Sequence, residues 1–248
     1  MIKKQFLLLL TLISFLFLPL SCDWADGGVE IIDETSGEDL LVDMVFAGED
    51  SAHNWITVAF RPESSAACFF AHETTGDIYA HANYTYNYDK STGGSIIGTA
   101  DTEAGGSDFT PGTFTLQENN SKLVFDDTGL TLFRVRDSNA VDLPVPFTVS
   151  PLPVSGSLDG TVWAATGFRT KDWTTLSIIS SDGTPHAGTI TVSHSFDTSS
   201  LNRAYTDYDP ATGVGTLEYI GAFKIESDTF TFLNFYGHGG AVPFKRMR

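Results

Sequence analysis

Asn54-Trp55-Ile56-Thr57-Val58-Ala59-Phe60 is the stretch that decides the fold. Ile56, Val58 and Phe60 alternate with Thr57 and Ala59, the period of two that sends successive side chains to opposite faces of a strand. Thr189-Ile190-Thr191-Val192 and Thr229-Phe230-Thr231-Phe232 carry the same alternation. Threonine, phenylalanine, tyrosine and valine fill these runs, and Gly, Asp, Asn and Ser punctuate them. No stretch combines a 3.6-residue period with helix caps, so the chain reads as all-β.

Working outward, the segments repeat. Asn54-Trp55-Ile56-Thr57-Val58 matches Asp172-Trp173-Thr174-Thr175-Leu176 at an offset of 118. Tyr88-Asp89-Lys90-Ser91-Thr92-Gly93 matches Tyr208-Asp209-Pro210-Ala211-Thr212-Gly213 at 120. Phe114-Thr115-Leu116-Gln117 pairs with Phe223-Lys224-Ile225-Glu226, and Leu132-Phe133-Arg134-Val135-Arg136 with Pro243-Phe244-Lys245-Arg246-Met247. The offset falls after the second match because Thr102 to Gly112 reads as a longer loop in the first copy. Four matches in one order point to an internal duplication. Between the copies, Pro144, Pro146, Pro151 and Pro153 remove amide donors and fix φ, which marks a semi-rigid extended linker. The expected organisation is a signal at 1–21, a tether at 22–39, a first β unit at 40–142, a linker at 143–156 and a second unit at 157–248.

The N-terminus bears on location. Lys3 and Lys4 precede an apolar run from Phe6 to Leu18, which ends in Leu18-Pro19-Leu20-Ser21-Cys22, the form of an export signal. The segment resembles a bacterial lipoprotein signal, which implies that Cys22 becomes the lipid-bearing first residue. The resemblance places the protein in a bacterial cell envelope, with a membrane as its partner through Cys22. Removing Lys3 and Lys4 takes the formal charge from −17 to −19. Such an acidic surface repels phosphate backbones, which argues against nucleic-acid binding. With Cys22 lipidated, Cys68 is the one remaining cysteine, so no intrachain disulfide is expected. Residues 23–40 are acidic and glycine-containing, the composition of a flexible tether.

Each copy holds about eight candidate strands; in the second they begin near Val162, Thr174, Thr189, Ala204, Thr216, Phe223, Phe230 and Val242. Eight consecutive antiparallel strands with short turns suggest a meander closed into a barrel, since closure removes exposed edges. Leu158-Asp159-Gly160-Thr161-Val162-Trp163 resembles the entry of small bacterial lipocalin-like (calycin) domains. That resemblance implies tandem up-and-down barrels and a small apolar or amphipathic ligand inside one. The first copy lacks the element at Asp39-Leu40-Leu41-Val42, so ligand binding is expected first in the second copy.

The candidate ligand-binding residues are His194, Phe196, Trp163 and His72. Alternation puts His194 on one face with Ile190, Val192 and Phe196, where a histidine ending an apolar stripe is a polar handle for a ligand. His72 shares a face with Cys68 and Phe70 and reads as its counterpart in the first copy. The plainer reading of each is a half-buried histidine satisfied by a loop carbonyl. Trp163 reads more readily as a plug at the closed end of a barrel, and Trp55 and Trp173 as core.

Asp207, Asp209 and Glu218 fit a calcium-loop count poorly, and the matched Tyr-Asp-x-x-Thr-Gly favours a shared hairpin turn. His186, His194 and His238 carry no metal-ligand spacing, and no cofactor is implied. Gly-x-Ser-x-Gly, His-Glu-x-x-His and phosphate-cradling glycine loops are absent, and Cys68 lies in an apolar run with no basic neighbour. No enzymatic activity is expected. The rival to ligand carriage is a surface lipoprotein with side-chain-filled barrels that acts through its loops. The basic end, Lys245-Arg246-Met247-Arg248, reads as a solvated charge cluster, with docking on the tether or the other copy as the alternative.

Overall fold

In a computed structural model of the chain, residues 40–72, 78–97, 111–166, 172–181, 184–195, 200–233 and 242–248 are described, with the β4 side chains from Tyr84 onward. The described residues contain sixteen strands and no helix. β1 (Val45–Glu49), β2 (Trp55–Arg61), β3 (Ser65–Ala71), β4 (Ile78–Asp89), β5 (Gly93–Ile97), β6 (Thr113–Gln117), β7 (Lys122–Phe125) and β8 (Thr131–Arg136) form one closed antiparallel barrel. β9 (Val162–Thr166), β10 (Trp173–Ser180), β11 (Gly188–His194), β12 (Ser200–Asp209), β13 (Val214–Leu217), β14 (Gly221–Glu226), β15 (Thr229–Phe232) and β16 (Pro243–Arg246) form a second. Each strand pairs with its sequence neighbour, and the last closes on the first, so no edge is left unpaired.

The alternation seen in the sequence sorts the side chains. Ile56, Val58 and Phe60 point into the first barrel with Phe46, Cys68, Phe70, Tyr84, Tyr86, Phe114 and Leu132. Leu176, Ile178, Ile190, Tyr205, Phe223, Phe230 and Phe244 fill the second. Tyr88 stacks on Phe114 at 6.0 Å, and Tyr208 stacks on Phe223 at 5.9 Å, one aromatic pair in each copy. A glycine lies under each phenylalanine: a Cβ on Gly94 would sit 2.6 Å from the Phe114 ring, and one on Gly215 2.4 Å from Phe223. The flat rings occupy the space that a side chain would take.

Strand register aligns the two copies residue by residue where the last strand of each barrel meets the first, although the bulge between β3 and β4 in the first copy lies between β12 and β13 in the second. Phe46 pairs across to Arg134, and Trp163 pairs across to Arg246. Asp43 and Gly160, three residues before Phe46 and Trp163, both take positive φ, 69° and 70°. The Arg136 Nε donates to the Asp43 carbonyl at 2.7 Å, and the Arg248 Nε donates to the Gly160 carbonyl at 2.7 Å. The first copy therefore has a structural equivalent of Leu158–Trp163, without its Gly-Thr and Trp. It lies at Leu41–Phe46, not at Asp39–Val42, with Asp43 for Gly160 and Phe46 for Trp163. The expected match of Leu132–Arg136 with Pro243–Met247 is off by one residue. Leu132 and Phe244 both point inward, whereas Phe133 points outward onto Phe147. A one-residue slip in a strand exchanges its faces, which composition alone does not reveal.

The barrels lie side by side in one compact unit. Val45, Ala47, Trp55, Ala59, Ala67, Phe69, Ala71 and Val135 cluster with Val162, Ala164, Trp173 and Met247, all buried. Trp55 and Trp173 are thus buried as expected, but between the barrels on their outer faces. Linker residues Val145 and Phe147 join this cluster, with the Phe147 ring edge-on to Trp55 at 5.3 Å and to Phe133 at 5.6 Å. The basic C-terminus is not a solvated cluster. Arg246 and Met247 are buried, and the Arg248 Nη1 donates to the His53 carbonyl of the first barrel at 2.5 Å. Desolvated guanidinium groups need partners: Asp228 of the same barrel serves Arg246, and the Gly160 carbonyl together with the His53 carbonyl of the first barrel serves Arg248.

Candidate functional site

Each barrel has a closed end and a mouth. At the closed end of the first, short connections join β2 to β3, β4 to β5 and β6 to β7, and Leu41 packs inward beneath them. Leu158 holds the same place in the second. Trp163 belongs to this end: it is fully buried on the interior face, 5.9 Å from the Phe230 ring, and its Nε1 donates to Thr161 Oγ1 at 3.0 Å. The Arg246 guanidinium lies 5.9 Å from the Trp163 ring and 3.3 Å from Asp228 Oδ1. Burial lowers the Arg246 pKa and the Asp228 carboxylate opposes that. With its indole N–H satisfied and its ring covered, Trp163 packs as a plug.

His194 stands at the mouth of the second barrel on the interior face, and its Nδ1 lies 2.9 Å from Thr174 Oγ1. It lines a cavity of about 70 Å³ with Thr174, Val192, Leu201, Ile220 and Phe232. That volume is far below the few hundred Å³ that a drug-sized guest fills. Phe196 lies outside the described residues, as does Cys22. His72 is half-buried beyond the end of β3, its ring 6.4 Å from Phe70. It is not the counterpart of His194. Phe70 faces Ile56 across the ladder as His194 faces Thr174, so the residue matching His194 is Phe70. The two histidines are one strand period out of step, a difference invisible until the pairing is known.

The larger space lies in the first barrel and was not legible from the sequence. Its mouth opens into a cavity of about 610 Å³, partly open to solvent, floored by Ile56 and Phe70 and rimmed by Glu49, Asp50, Asn54, Leu130 and Thr131. The rim is shaped by Asp50, whose Oδ1 accepts from the Ala52 and Asn54 amides at 2.8 and 2.9 Å and whose Oδ2 accepts from Asn54 Nδ2 at 2.9 Å. Below the floor Phe60, Tyr86 and Phe114 close the interior, with Phe60 and Tyr86 4.8 Å apart. Burial pushes the Tyr84 hydroxyl up to about 12 and the Cys68 thiol up as well, so neither is ionised at neutral pH. The cavity thus combines an apolar floor with a polar rim.

Asp89 and Asp209 are spent on their turns. The Asp89 Oδ1 accepts from the Ser91 amide at 2.7 Å, and the Asp209 Oδ1 accepts from the Ala211 amide at 2.9 Å. The Ser91 hydroxyl and then its amide hold the Asp89 carboxyl below the usual carboxylate range, and the Ala211 amide does the same for Asp209. Among the described residues no group of three His, Cys, Asp or Glu side chains is placed to hold a metal ion. No helix there is long and apolar enough to cross a membrane. No protein-family description, characterised protein or solved structure matches the chain.

Proposed function

We propose that this protein is an exported, lipid-anchored carrier, lipocalin-like in design, that holds a small apolar or amphipathic molecule in the mouth of its first barrel. The observation that carries the reading is the 610 Å³ cavity over Ile56 and Phe70, which lies within the range of ligand pockets. The second barrel, its interior packed by Trp163, Tyr205, Phe223 and Phe230, serves as a rigid partner. The lipoprotein-like signal ending at Cys22 supports the anchor, and the acidic charge keeps nucleic acid away. No catalytic group is assigned.

The test is native mass spectrometry on protein released from its source membranes, together with uptake of a neutral apolar fluorescent dye. A constant extra mass of lipid or metabolite size, displaced by the dye, is the expected result. Leu130→Trp, which adds bulk at the rim, should remove both signals while the fold persists. Clean apo protein that takes up no dye would defeat the proposal. It would favour the second reading, a non-catalytic surface lipoprotein acting through its loops, for which the filled second barrel already speaks.

A further inference from the structure

The two copies meet through the same patch. Register equates Val45 with Val162, Ala47 with Ala164, Trp55 with Trp173 and Val135 with Met247, and all eight lie in the one buried cluster between the barrels. The equivalence extends across the next strand pair. Thr57, Ala59, Ala67 and Ala71 of the first barrel correspond to Thr175, Ser177, Thr191 and Ser195 of the second, all buried on the outer faces.

The ends obey the same rule. Arg136, at the closed end of the first barrel, lies 5.8 Å from the Trp173 ring at the mouth of the second. Beside it the Asp142 Oδ1 accepts from Thr166 Oγ1 at 2.5 Å. Arg248, at the closed end of the second barrel, reaches the His53 carbonyl and Glu49 at the mouth of the first. The barrels are therefore antiparallel, mouths at opposite ends, related by a pseudo-two-fold axis.

Covalent tandem linkage does not require this. Two copies on one chain can pack through different patches, as the units of a solenoid do. An arrangement in which patch meets patch, and i touches j as j touches i, is the isologous contact of a symmetric dimer. Small side chains keep the patch flat: β4 comes within 8 Å of β11 and β12, backbone to backbone. In the second barrel the patch is lined with hydroxyls, of which those of Thr175, Ser177 and Ser193 have no hydrogen-bond partner among the described residues. Such a face accepts water when uncovered.

We infer that the inter-barrel face is a self-complementary docking surface whose partner is another barrel of this kind, so that the chain is an internalised homodimer. The linker then holds together halves that would pair without it. The test uses the whole chain with a protease site placed at the exposed Pro153–Ser155, where Val154 is fully accessible. After cleavage the halves should stay paired through gel filtration. On dilution and reconcentration, native mass spectrometry should show a homotypic pair, first with first or second with second, beside the heterotypic one.

Ala67→Arg places a charge in the patch and should make the cleaved halves separate while each keeps its near-ultraviolet dichroism. Thr191→Arg, on the equivalent position of the second barrel, provides the same test should Ala67→Arg fail to fold. Halves that part as soon as the linker is cut would overturn the inference. So would exchange that yields only the heterotypic pair, or a cleaved arginine variant that stays associated.

Discussion

Cys68 shows how far one residue can be read from its neighbours. Its apolar run predicted an inert thiol, and the structure buries it inside the first barrel, where desolvation raises its pKa. It should resist a thiol reagent in the native protein and react at once in denaturant, and reductant should leave the melting temperature unchanged. Fast labelling of the native protein, or a melting shift on reduction, would contradict this. Ser177 teaches the converse. Its hydroxyl is buried with no hydrogen-bond partner among the described residues, and the first copy has Ala59 at that position. Ser177→Ala should raise stability by up to about 1 kcal/mol, measured from the denaturant midpoint, because an unsatisfied buried hydroxyl costs more than a methyl group. Nothing in the period-two pattern around Ser177 distinguishes a residue facing water from one facing a second barrel.

Among the elements, the turns were the most legible. Tyr-Asp-x-x-Thr-Gly recurs because the aspartate side chain bonds its own backbone two residues on, a local device that needs no tertiary partner. The hydrogen bonds at Asp209 lower its folded pKa, so their stabilisation is complete above the ordinary aspartate value and fades as pH falls through the lower folded one. Asp209→Ala should therefore melt below the parent at neutral pH, and the gap should close in acid. A gap independent of pH would assign the effect to the backbone alone. The strands were legible too: all eight of the second copy begin within a few residues of the expected positions. Their register was not. Phe133 and Phe244 look alike in sequence yet face opposite ways, because pairing partners far along the chain set which face is inner.

For the whole molecule, the linker is the element that changes meaning. Its prolines exclude it from the ladders, as expected, yet Phe147 wedges against Trp55 and Phe133 and fastens it to the first barrel. The tether and anchor belong to this scale as well. If Cys22 carries lipid, Cys22→Ser should abolish incorporation of labelled fatty acid and move the protein from the membrane to the soluble fraction. Unchanged fractionation would remove the anchor from the proposal.

By itself the sequence determined the strands, their turns and their duplication, because alternation, turn residues and repeats are properties of adjacent residues. Only the tertiary structure decided which barrel retains space, which histidine matches which position, and that the copies meet face to face about a two-fold axis. Those outcomes depend on strand register within each barrel and on close packing between the barrels, as between His53 and Arg248, and no local pattern encodes them.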